Sequence, residues 1–337
     1  VSSSAASDVY KRQDIMLEYS SFTYRVKTEK IFETFSGEEF LEDEYSCQFS
    51  QVMQENNLFA MIASRTIGDF SSLEQHRIIY EALVDLSLHE VGHTLGLSHN
   101  FYASHLHSLN NIHDRHITEP IGLYSSVMDY TSANIGSSPK HHGQFYSTTP
   151  GPYDIWAIEY GYTPSFENPE DEKERLENLL SKSTKNEYGY GNDADDMRRA
   201  GKGIDPRVML YDMSSDPLGY AHQRMDIIRS IFPNLLNRFE APGESYHFFR
   251  SAFSILNRQY SSSARIVSRF VGGVYMDRSM AGQKGKEDPF VPVPRDEQKW
   301  AMTLLDKYLF SIDAFKFSDE IYSLSLIHIS EPTRPLH

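Results

Sequence analysis

Apolar residues recur along this chain at two spacings, and the switches between them mark its elements. Residues 14–30 alternate in patches, with Phe22, Tyr24 and Val26 set against Thr23, Arg25 and Lys27. A period of two turns one face of a strand to a core, so a strand or two is expected there. From 42 to 66 the apolar positions Phe49, Val52, Met53, Phe59, Ile62 and Ala63 follow a helical spacing, which Gly68 and Asp69 break. The next helix opens on Ser71 and Glu74, a capping-box pair, and runs through Ile79, Leu83, Leu86 and Val91 to Leu95. Gly96 is placed to end it, because a left-handed residue closes a helix and glycine takes that conformation cheaply. Residues 103–151 are rich in Ser, Asn, His, Gly and Thr and read as a long loop, a length usually reserved for function. A short helix over 153–160 follows, then the Pro164–Pro169 punctuation, a candidate subdomain boundary. Beyond it 170–181, 217–239, 244–271 and 296–310 read as helices, with a stop at Gly272-Gly273 and a short strand over 274–277.

Composition narrows what such a chain can do. Of 337 residues, 39% are hydrophobic and 13% aromatic, enough to bury a core in one large domain or two ordinary ones. The formal charge of −15 argues against nucleic acid as a partner, since phosphate contacts need a basic face. No apolar run of about 18 residues exists, so no segment reads as membrane-spanning. Cys47 is the single cysteine, which excludes an internal disulfide framework; its apolar neighbours suit a small buried hydrophobe. Residues 1–13 and 323–337 resemble translated adapter sequence and are set aside, so the natural chain is expected to continue beyond both.

The candidate chemistry lies at 89–99, which reads HEVGHTLGLSH. His89 and His93 are four apart on a helix, so their imidazoles stand on one face, one turn apart, able to grip one ion. Gly96 lets the chain turn back and bring His99 in as third ligand. Three neutral imidazoles suit Zn2+ and leave one position open, the arrangement of a catalytic zinc. Glu90 follows the first ligand and is not needed as one. Its carboxylate can take a proton from water activated by the metal and return it to the leaving amine. The competing reading is a helix with surface histidines, but Leu86, Leu88, Val91, Leu95 and Leu97 surround the motif, and polar groups among them need partners. The later histidines His105, His107, His113, His116, His141 and His142 match no closed metal site and read as polar loop residues. Asn192–Asp196 (NDADD) lacks the ligand ladder of a calcium loop and reads as a solvated loop. Asp154 is placed to cap the helix after Gly151.

HEVGHTLGLSH resembles the extended zinc signature of the metzincin metallopeptidases. The resemblance implies a methionine turn beneath the metal, which Ser126-Val127-Met128-Asp129-Tyr130 fits, with Met128 as apolar floor. It implies that Tyr130 approaches the zinc and steadies the oxyanion. The stretches HEVGHTLGLSHNF, SVMDY, GPYDIWAIEYGY (151–162), DPRVMLYDMSSDP (205–217), VSRFVGGVYMDRS (267–279) and PFVPVPRDEQKWAM (289–302) are closer still to a bacterial group of large zinc-dependent metallopeptidases. That likeness implies an α+β fold. It consists of a zincin catalytic domain at 14–163, its N-terminal sheet largely truncated, followed by a mainly helical region at 164–322. It also implies a zinc-dependent endopeptidase acting on a protein or peptide substrate, secreted or at the periplasm or cell envelope. Two rivals stand beside this expectation: a zinc hydrolase of another amide bond, such as one in a cell-wall peptide, and a non-enzymatic envelope module that keeps a structural zinc.

Overall fold

A computed structural model describes residues 49–67, 70–137, 142–196, 203–239, 243, 245–314 and 316–325. The alternating segment 14–30 and Cys47 lie outside the described residues.

Helix α1 (Phe49–Thr66) packs on α2 (Ser72–Thr94), and both form where the spacing predicts helix. Ser71 and Glu74 form the expected reciprocal cap at the start of α2. This satisfies amides that no preceding turn can reach. Helices α3 (Arg115–Ile121), α4 (Pro152–Tyr162), α5 (Pro169–Leu180) and the single turn α6 (Asp193–Asp196) follow, and Tyr162 Oη at the end of α4 donates to the Leu95 carbonyl that closes α2. Two long helices, α7 (Pro217–Phe239) and α8 (His247–Arg269), lie along each other and against α1. An antiparallel hairpin of β1 (Val274–Met276) and β2 (Phe290–Pro292) follows, paired Val274 to Pro292 and Met276 to Phe290. Gly272, with φ of 74°, makes the turn between α8 and β1. Helix α9 (Arg295–Leu305), a π-turn (Asp306–Phe310) and α10 (Asp319–Ser325) complete the described chain, which is α+β and mostly helical. No helix among the described residues is long and apolar enough to cross a membrane.

The apolar core is continuous across residue 164: Phe59, Leu86 and Tyr130 share it with Met225, Ile228 and Val267. Arg224 on α7 is a polar tie inside it. Its guanidinium lies 3.9 Å from the Phe59 ring and donates to the Ala133 carbonyl and to Gln259 on α8, each at 2.7 Å. A buried guanidinium is tolerated when its donors are satisfied in this way.

The stretch read as a long loop carries little regular structure, yet much of it runs inside the protein. Residues 122–136 are all buried. Its backbone groups bond to side chains instead of to a ladder. Asn134 donates to the Ile112 and Gln144 carbonyls, and Glu81 on α2 accepts from the Phe145 amide at 2.5 Å. The many small polar residues serve this interior bonding, because a buried backbone group without a partner is costly.

Candidate metal centre

Helix α2 presents His89 and His93 one turn apart, with ring centroids 4.7 Å from each other. Leu95 closes the helix and Gly96 takes φ of 87°. The reversal is fastened by Gly96 N donating to the His93 carbonyl at 2.9 Å and Leu97 N to the Gly92 carbonyl at 3.0 Å. Two residues later His99 faces the pair, its ring 5.5 Å from His89 and 4.9 Å from His93. One nitrogen from each imidazole lies within 4.8 Å of the other two. A tetrahedral ion with bonds of about 2.0–2.1 Å needs its ligands roughly 3.4 Å apart, so small ring rotations complete the set.

The hydrogen bonds behind the rings test whether zinc suits them. His89 Nδ1 donates to the Val127 carbonyl at 2.7 Å and His93 Nδ1 to the Leu97 carbonyl at 3.0 Å. His99 Nδ1 bonds Asp193 Oδ2 at 2.7 Å. With every Nδ1 occupied, each ring turns Nε2 and its lone pair inward, the tautomer a metal requires. Burial, helped by the neighbouring imidazoles, holds His89 neutral far below the usual histidine range. Burial likewise brings His93 to about 4. Three imidazole nitrogen donors with no fourth protein ligand among the described residues fit zinc with one position open.

Below the site runs 126–130. Met128 is fully buried, and a Cβ on Gly92 would lie 2.4 Å from its sulfur. A glycine between the two ligand histidines therefore lets α2 rest on the methionine. Tyr130 Oη donates to His99 Nε2 at 3.1 Å, which sets the hydroxyl beside the nitrogen that would face the metal. Glu90, half-buried, follows His89 on α2, about 100° further round the helix. His89, His93, His99, Gly96, Met128 and Tyr130 are thus all brought together.

Other features at the site departed from the sequence reading. Val91 and Leu95 are 43% and 39% exposed, so α2 is not surrounded by a core as their apolarity suggested. NDADD is no solvated loop. Asp193 orients His99, Asp195 pairs with Arg278, and Asp196, itself buried, pairs with Arg269 at the end of α8. Only spatial proximity reveals this, since 94 residues separate His99 from Asp193. Asn100 was also missed. It is fully buried, its amide donates to the Met128 carbonyl at 3.0 Å, and its side chain bonds the backbone at Gly189 and Gly191. Of the later histidines, His105 and His107 are buried, beside Asp212 and the Gly122 carbonyl respectively. His141 lies outside the described residues. A cavity of about 830 Å³ walled by Tyr102, Tyr153, Trp156, Tyr188 and Tyr190 shares the segment around 190 with the site, but none of the three histidines lines it.

No curated protein and no solved structure matches this chain. Residues 72–335 match the model of the Met-zincin family, whose description agrees with three imidazoles set above a buried methionine turn. As that match spans the greater part of the chain, the protein belongs to the Met-zincin family.

Proposed function

We propose that the chain is an endopeptidase, hydrolysing internal peptide bonds with water as nucleophile at the three-histidine site. The observation that carries this reading is the convergence of three Nδ1-anchored imidazoles, with Glu90 following the first of them on α2 and not needed as a ligand. Zinc held by His89, His93 and His99 supplies Lewis acidity toward a carbonyl oxygen and toward water. Glu90 accepts the proton of the attacking water and passes it to the departing nitrogen, a general-base then general-acid role for one group. Tyr130 is placed to hydrogen-bond the oxygen that gains negative charge. With the His99 Nε2 lone pair committed to zinc, this hydroxyl loses its present acceptor and can donate to the substrate oxygen.

Internally quenched peptide libraries, with peptidoglycan fragments beside them, test the substrate class. Cleavage of the peptides is expected to vanish with a chelator and return with zinc. Glu90→Gln is expected to lose at least about 100-fold in kcat, within the range for a general base, while still binding zinc. Parental turnover by that variant defeats the mechanism. Cleavage of the glycan-linked peptides alone would favour a cell-wall amidase.

A further inference from the structure

The geometry points to Asp154, on α4, as a positioning residue for the metal ligand His89, acting through the methionine turn. Asp154 is 3% exposed, and both its oxygens are engaged. Oδ1 accepts from the Ser126 hydroxyl at 2.5 Å. Oδ2 accepts from the Val127 and Gly151 amides, each at 2.9 Å. The Gly151 bond is an ordinary helix cap. The other two cross to the turn that carries Met128.

Val127 links the carboxylate to the metal site: its amide bonds Asp154 and its carbonyl takes the His89 Nδ1 proton at 2.7 Å. Ser126 Oγ accepts from the Met128 amide at 3.1 Å, so its own hydrogen is directed at Asp154. Asp154 thus sets the height of the carbonyl that orients His89 and the seat of the methionine. Partners of this kind behind a ligand histidine fix the ring and raise its basicity. The backbone reinforces the contact, since Tyr153 N donates to the Ser125 carbonyl at 2.8 Å. The inference rests on the three-histidine site and is independent of which bond is cleaved.

The test is zinc affinity of the full chain by chelator competition, with the absorption spectrum of the cobalt-substituted protein. Asp154→Ala and Ser126→Ala are each expected to weaken zinc by about tenfold or more and to shift the cobalt bands. Asp154→Asn is expected to retain more affinity than Ala. Its carbonyl oxygen can still serve the two amides while its amide group faces Ser126 Oγ. Asn168→Ala, which removes the cap of α5, is expected to change neither reading. If Asp154→Ala does not fold, Ser126→Ala decides, because it cuts the turn side of the clamp and leaves the α4 cap. Parental zinc affinity and an unchanged cobalt spectrum in Ser126→Ala, or in a folded Asp154→Ala that merely melts earlier, would show a purely structural cap and overturn the assignment.

Discussion

Gly151 and Gly161 both lie on or at the start of α4, and the same substitution should act on them in opposite directions. A Cβ at Gly151 would sit 2.2 Å from the Ser125 carbonyl oxygen, 2.3 Å from its carbon and 2.4 Å from the Tyr124 oxygen. All three are backbone atoms of the segment entering the methionine turn, so no side chain can swing aside. Restoring ordinary contact demands a shift of about 1 Å between α4 and that segment. Overpacking of this kind costs about 1–3 kcal/mol. The shift also strains the Asp154 bonds to Ser126 and Val127, and bonds to an ionised group contribute about 1.5–3 kcal/mol each. Allowing that these bonds lengthen without all breaking, Gly151→Ala is expected to destabilise by about 3–5 kcal/mol. Nothing lies within 4 Å of a Cβ at Gly161, which is helical and exposed. Gly161→Ala is expected to stabilise by about 0.4–1 kcal/mol through lower entropy of the unfolded chain. Urea denaturation followed by far-UV circular dichroism measures both against the parent. The docking of α4 on the segment before the methionine turn is refuted if Gly151→Ala unfolds at the parental midpoint, or if both variants move the same way.

Three further outcomes are expected. Tyr130→Phe should lower kcat by about 100-fold while zinc affinity by chelator competition stays within about threefold; unchanged kcat would remove Tyr130 from the reaction. Asp193→Ala should weaken zinc about tenfold by loosening His99, and equal affinity would show that the carboxylate only decorates the rim. His142 packs 4.0 Å from the Phe145 ring centroid, and burial depresses it to about 4. The unfolded chain therefore takes up this proton near 6.5 and the folded one only near 4, so the contribution is intact above 6.5. It is lost progressively as pH falls to 4, by up to about 3 kcal/mol. Asp154, raised to about 6 by burial, works in the opposite sense over part of that range. The check is therefore the difference between parent and His142→Gln in denaturant midpoint from pH 7 to 4; parallel curves would show that His142 is not protected.

The zinc helix, its cap and its end were legible locally, because each is decided by neighbours within one turn. Ser71 finds Glu74 three residues on, His93 lies four from His89, and Gly96 reverses the chain because its φ of 87° suits glycine. The ligand set followed, since eleven residues hold all of it. Only the tertiary structure decided what stands behind those ligands. Asp193 reaches His99 across 94 residues, Asp154 reaches Val127 across 27, and Arg224 reaches Ala133 across 91. The polar stretch after the motif read only as a long loop, because its residues lack periodicity. Much of it runs inside, because Asn134, Asp129 and Glu81 supply the hydrogen bonds that a strand or helix would otherwise provide. Periodicity records only the bonds a segment makes with itself or a regular neighbour. A segment satisfied by scattered side chains leaves no repeat, and its place becomes visible only when those side chains are brought together in space.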